Sequence, residues 1–347
     1  MNATVRRDLG IVAVLAVFCL IFFGGAWYAY YDDDKGYGSS ASADGDTVSY
    51  TLTADGSHEY SACLIGNGSY TAVGTVYMFY DEDYESFFDH SDADALERIY
   101  QPDYYLDQVE RTLEYSGIDD ITYLDADELA AMLQSDVDNN ACAGKGLVMV
   151  YGGFPDTIYD GTSGSLIIQW ISGGGSLYWA GEVIGKYVLT ADGAAEVDGQ
   201  ELFLPGVTDY ASSEDELVGD TDAAFREELS LGNAYMAYAP DMTEYTGTGT
   251  WLQACYSNGN YATDTFVSFG SGQVCIFAGG CSQNQLTDMA IAIASGLSYN
   301  STLLAHESGT VDGSLSGTLS KDGYAYNTCL YLSIGGYYGV YAERYDL

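Results

Sequence analysis

Gly146-Leu147-Val148-Met149-Val150-Tyr151 is a continuous apolar stretch, closed by Gly152-Gly153-Phe154-Pro155. A strand without polar alternation needs cover on both faces, as a central parallel strand has between two helical layers. Its surroundings fit that setting. Thr75 to Tyr80 reads as a strand ending in Asp81-Glu82-Asp83, and Leu106, Val109, Leu113 and Ile118 space out as one helix face. Ile121 to Leu124 is a short strand, after which Asp125 caps a helix with Glu128 at the capping-box position. Ser165 to Ser172 reads as a helix and Ser176 to Ala180 as a strand. Thr265 to Phe269 and Gln273 to Ala278 form a hairpin, followed by a helix marked by Leu286, Met289, Ala290, Ile293 and Leu297. The alternation predicts an α/β fold built on a mainly parallel, doubly wound sheet. From Leu189 the pattern weakens, with a loop over 200–219 and a short helix over 221–231 as the expectations.

Two β-hairpins are expected to flank that sheet. Ser49 to Gly56 and Ser316 to Gly323 share the pattern Ser-x-Thr-Leu-(Thr/Ser)-x-Asp-Gly, each followed by a Cys-Leu pair, Cys63-Leu64 and Cys329-Leu330. Asp-Gly is a strong turn signal between strands. The repeat implies that the two ends of the domain pair in one sheet, with Cys63 and Cys329 as a candidate disulfide.

Leu9 to Tyr31 is apolar and free of charge, with Arg6-Arg7 before it and Asp32-Asp33-Asp34 after it. A helix rising about 1.5 Å per residue over that run crosses a hydrocarbon core of roughly 30 Å. Basic residues on the N-terminal side keep that end cytoplasmic. The expected organisation is a cytoplasmic 1–8, a transmembrane anchor 9–31, a flexible linker 32–46 and an extracellular α/β domain 47–347. The localisation that follows is a single-pass protein of the cell membrane, its bulk outside.

The formal net charge is −41, from 10 basic and 51 acidic residues. Phosphate recognition depends on clustered Lys and Arg, so nucleic acid is excluded as a partner. Hydrophobic residues make up 47% of the chain, enough for a packed core rather than a disordered polyanion. Cations or cell-envelope components remain as partners, besides the membrane itself. Asn67-Gly68-Ser69 and Asn300-Ser301-Thr302 are sequons, making Asn67 and Asn300 glycosylation candidates.

The segment Gly144 to Tyr187 resembles the class I glutamine-amidotransferase-like superfamily, in particular its trehalose-utilisation-like branch, and so suggests a flavodoxin- or amidotransferase-like sheet. The likeness rests on G-K-G-L-V-M-V-Y-G-G-F-P at 144–155 and I-S-G-G-G-S-L-Y-W-A-G at 171–181, with Gly272 to Gly280 fitting a late strand–helix unit. The family carries its nucleophile on a Gly-x-Cys-x-Gly turn. The matching stretch here, Trp179 to Gly185, has no Cys, Ser or Thr, and the late His-x-Glu pair is replaced by adjacent His306-Glu307. The resemblance therefore implies a degenerate member without amidotransferase chemistry.

Ligands of such sheets bind at the carboxyl ends of the strands. Glu182 falls there, and Asp81 or Asp83 would be its partner in general acid–base work. Asp136, Asp138 and Asn140 imitate the start of a calcium loop, but Ala141 and Leu147 occupy the positions that need Gly and Glu. No metal site and no cofactor are expected. The chain reads as a noncatalytic binding or envelope module; the alternative is a tethered hydrolase or carbohydrate-active enzyme using carboxylates at the strand ends.

Overall fold

The computed structural model describes residues 36–84, 102–211, 221–222, 225–258, 261–279, 283–335 and 341–347. In chain order its principal elements are β1 (Gly38–Asp44), β2 (Thr47–Gly66), β3 (Thr75–Phe79), α1 (Pro102–Tyr115), β4 (Ile121–Leu124), α2 (Ala126–Asp138), β5 (Lys145–Met149), α3 (Leu166–Ser172) and β6 (Ser176–Ala180). Then come β7 (Trp251–Gln253), β8 (Asp264–Phe269), β9 (Gly272–Phe277), α4 (Gln283–Ser295), β10 (Thr302–Ser320), β11 (Thr328–Ile334) and β12 (Tyr341–Asp346).

Seven strands form the central sheet, in the order β7-β8-β9-β6-β5-β3-β4. From β9 to β4 the pairings are parallel, whereas β8 and β7 run antiparallel along the β9 edge. The parallel strands are the apolar ones: every residue of β6 is buried, and so are Gly146 to Met149 of β5. Helix α1 packs on α4, and α2 packs on α3. Asp125 caps α2 through a reciprocal capping box with Glu128, worth about 1 kcal/mol.

A second, antiparallel sheet contains β1, β2, β10, β11 and β12. Along one edge of β2 lies β10 over nearly its whole length, and the other edge is shared by β1 and β11. The ribbon curls back on itself. Lys321 N donates to Asp46 O at 2.8 Å and, three residues on, Tyr324 OH accepts from Gly68 N at 2.7 Å, so a short turn touches both ends of β2. Inside the curl Val48, Tyr50, Leu52, Leu64, Leu330 and Leu332 make a separate core. Cys63 and Ile65, on the opposite face of β2, join the main core.

Several expectations are corrected here. The mainly parallel, doubly wound α/β sheet gives way to a mixed-sheet architecture in which antiparallel pairings outnumber parallel ones. The curled sheet and the β8 edge supply most of the excess. This arrangement is not a clear amidotransferase-like parallel fold, and that resemblance is set aside with it. The transmembrane segment 9–31 lies outside the described residues, and no described helix is long and apolar enough to cross a membrane. The preceding membrane helix is therefore no part of the described fold.

The flanking hairpins also change. Asp55-Gly56 lies within the unbroken strand β2, opposite a register shift at Asp312/Gly313, so it forms a bulge rather than a turn. Asp322 and Gly323, with φ of 48° and 78°, do turn the chain between β10 and β11, as left-handed positions allow. Residues 38–44, taken as flexible linker, are β1, hydrogen-bonded along β2. Residues 221–231, expected as a helix, hold only the two-residue strand Thr221–Asp222 and turns where described.

The Cys63–Cys329 disulfide is absent. The strands that carry them do pair, but the register sets Cys63 against Tyr331 and Cys329 against Ile65, which leaves the two cysteines diagonal. Each thiol is free and bonded elsewhere: Cys63 to Glu228 O at 3.0 Å, Cys329 to Asp346 Oδ1 at 3.2 Å.

Candidate functional site

Glu182 follows β6, as expected for a strand-end residue, and is only 7% exposed. Its backbone carbonyl accepts from Trp179 Nε1 at 2.7 Å, which fixes the turn. Asp81 follows β3. One of its carboxylate oxygens takes the amide of Ala126 at 3.0 Å, and the other takes the amide of Asp83 at 2.9 Å. Asp81 is thus committed to the first turn of α2 and to its own loop, and Asp83 is exposed. Strand β5 lies between β3 and β6, and Tyr151 beyond its end donates to Asp81 O at 3.1 Å. Two inter-strand steps of about 4.8 Å separate the strands carrying Glu182 and Asp81.

Asp136, weighed for calcium, is buried and engaged. Its carboxylate pairs with Lys145 Nζ and accepts from Trp170 Nε1 at 3.1 Å and Tyr77 OH at 3.2 Å. Asn67 is fully buried: its side chain accepts from Ser301 Oγ at 2.8 Å and donates to Cys329 Sγ at 3.2 Å. Asn300 is half-buried and accepts from Ser298 Oγ at 2.8 Å.

The structure gathers two groups that sequence reading missed. The first is a cleft of about 650 Å³ where α1 and α4 face the curled sheet. Tyr60 and Ser61 of β2, Thr112 and Tyr115 of α1, His306 and Thr310 of β10, Tyr331 of β11 and Tyr341 of β12 all line it. Glu59, Glu227 and Arg111 are its other charged neighbours. Tyr115 is 46% exposed. Ser61 Oγ lies 3.4 Å from His306 Nε2, but its proton goes to Glu228 O at 2.9 Å. A hydroxyl so committed is not an activated nucleophile. The sequence did not mark this cleft, because walls such as β2 and β10 come from segments more than two hundred residues apart.

The second group is Cys255, Asp264 and Asp288, all buried, with ligand atoms within 4.8 Å of one another. Asp264 opens β8 opposite Phe277, the last residue of β9, so it stands at the carboxyl edge of the parallel strands. Asp288 projects from α4 and accepts from the amides of Gly232 at 2.9 Å and Asn233 at 2.7 Å. Asn233 Nδ2 bridges Asp264 Oδ1 and Ala278 O, each at 2.9 Å. Burial, reinforced by the neighbouring Asp288 charge, pushes the Asp264 carboxyl well above the usual carboxylate range. Burial raises Asp288 to about 6, against the lowering pull of the Gly232 and Asn233 amides. The Cys255 thiol is pushed up too, by burial first and then by the two carboxylates. One sign was available in the sequence: Asp288 is the charged residue of α4, set between Leu286 and Met289.

Comparison with known proteins assigns no family: no family model matches the chain, and no curated protein matches it. Among solved structures it is similar to the exo-β-1,4-mannosidase Op5Man5 from Opitutaceae bacterium strain TAV5, at 13% identity and a TM-score of 0.36. The match covers 65% of this chain and 35% of the mannosidase. A likeness of that size assigns neither fold nor activity. The amidotransferase-like resemblance finds no support in any of the three comparisons.

Proposed function

We propose that this chain is an exported carbohydrate-binding protein, and that the cleft between the α1/α4 pair and the curled sheet receives a neutral sugar segment. The observation that carries the reading is the lining itself. Ser61, Thr112 and Thr310 together with Tyr60, Tyr115 and Tyr341 line one space of about 650 Å³. That volume lies within the roughly 300–1,000 Å³ of small-ligand sites. Aromatic rings offer flat apolar faces to the C–H side of a sugar, while hydroxyls and carboxylates bond its rim. With Glu59 and Glu227 against Arg111, the lining disfavours phosphorylated or sulfated ligands, and the net charge of −41 acts in the same direction.

Recognition is favoured over catalysis at the strand ends because Asp81 is spent on two amides and Asp264 and Asp288 are closed from solvent. Hydrolysis stays as a second reading for the cleft, since Glu59 and Glu227 both line it. Delivery outside the cytoplasm, suggested by Arg6-Arg7 and the apolar run that follows, is part of the same proposal.

A neutral-glycan array, followed by calorimetry on the full chain and on Tyr115→Ala, tests it. Binding to at least one neutral glycan, weakened tenfold or more in the variant, supports the reading. Absence of glycan binding, or binding indifferent to Tyr115, removes it. Sugar release that is lost in Glu227→Gln would replace recognition with hydrolysis.

A further inference from the structure

The carboxyl pair at the β8 edge has an electrostatic gap that its protein neighbours do not fill. Oδ1 of Asp264 takes the amide of Asn233, but Oδ2 has no hydrogen-bond partner, although the side chain is only 1% exposed. An unsatisfied carboxylate oxygen in the interior costs several kcal/mol, so either a proton shared with the Asp288 side chain or a cation belongs beside it. With Oδ1 turned to Asn233, Oδ2 is left toward Asp288 and Cys255, groups whose ligand atoms lie within 4.8 Å.

We propose that Cys255, Asp264 and Asp288 together bind a thiophilic divalent cation of the zinc class. Metal–sulfur and metal–oxygen bonds of about 2.3 and 2.0–2.2 Å place tetrahedral ligands roughly 3.5 Å apart, so the trio, with ligand atoms within 4.8 Å of one another, would draw in around a bound ion. A sulfur donor and only two carboxylates disfavour calcium and magnesium, which need larger sets of oxygens. The surroundings are those of oriented ligands. The amides of Gly232 and Asn233 hold Asp288, and the side-chain amide of Asn233 holds Asp264. The Asn233 carbonyl oxygen, 3.6 Å from Cys255 Sγ, is the candidate fourth donor. All three side chains are enclosed, so the ion's role is structural. It clamps β8, α4 and the loops at 232–233 and 255, and no step of the cleft's proposed function passes through it.

The test uses the full chain, purified without chelator, dialysed against micromolar zinc and analysed by elemental mass spectrometry. The expected result is about one zinc per chain. Replacement by cobalt(II) is expected to give a sulfur-to-cobalt charge-transfer band, absent in Cys255→Ser. Asp264→Asn is expected to lose the metal as well. Should either variant fail to fold, the wild-type metal content and cobalt spectrum decide alone. A folded wild type that holds no zinc, or that binds cobalt without the sulfur band, overturns the proposal and leaves a shared proton between Asp264 and Asp288.

Discussion

Asp136, near the end of α2, and Lys145, at the start of β5, form an ion pair whose carboxylate is enclosed, with Asp136 3% exposed, while the Lys145 side chain stays partly exposed. Lys145 holds one oxygen of that carboxylate, and Trp170 and Tyr77 both donate to the other. Removing one partner of such a pair leaves a buried charge uncompensated, which costs more than the pair itself contributes. Lys145→Met should therefore destabilise the protein by about 3 kcal/mol, read from urea unfolding. A loss below about 1 kcal/mol, the range of an exposed pair, would show that this one is not buried in solution.

Cys63 and Cys329 should behave as inert free thiols. Burial pushes both up to about 12, and each already donates to an oxygen. At pH 8 neither should react with iodoacetamide in the native chain, whereas both should react in guanidinium. Peptide mapping under non-reducing conditions should find both unpaired. A Cys63–Cys329 peptide would contradict the register described here.

Asn67, despite its sequon, should carry no glycan in the folded protein. Its side chain is fully buried between Ser301 and Cys329, with no path for a sugar. Asn67→Ala should cost about 1–3 kcal/mol by removing two buried hydrogen bonds, one from Ser301 Oγ and one to Cys329 Sγ. Glycopeptide mass spectrometry checks the first expectation and thermal melting the second.

The Asp264–Asp288 pair sets a pH dependence whose sign depends on metal. In chelated protein Asp288 is raised to about 6, above an unfolded value near 3.9. Folding then takes up protons, so this group's stabilising contribution is full below about pH 4 and is lost as pH rises through 6. The stability difference between wild type and Asp288→Asn in EDTA should fall over that window. With zinc bound the trend should reverse, because the metal requires deprotonated ligands. Melts from pH 4 to 7 with and without EDTA decide it, and an unchanged slope would count against the metal.

Much of the local structure was legible in the chain. Apolar runs at 75–80, 146–151 and 176–180 marked buried strands, and Asp125 with Glu128 announced the start of α2. Those signals are short-range: side-chain periodicity and a hydrogen bond to a nearby amide need no distant partner. Asp55-Gly56 shows where that logic stops. The same dipeptide chemistry serves a turn at 322–323 and a bulge at 55–56, and only pairing with β10 selects between them. Cys329 shows it again, since a two-residue diagonal in register separates a disulfide from two free thiols.

The amino-acid sequence by itself determined the acidic character, the buried strands of the central sheet and the capped start of α2, because these follow from composition and from contacts within a few residues. Tertiary structure alone decided which strands run antiparallel, what Asp136 pairs with, and that Cys255, Asp264 and Asp288 meet. Those outcomes depend on packing between segments far apart in the chain, where burial and register rather than local propensity choose each side chain's neighbours.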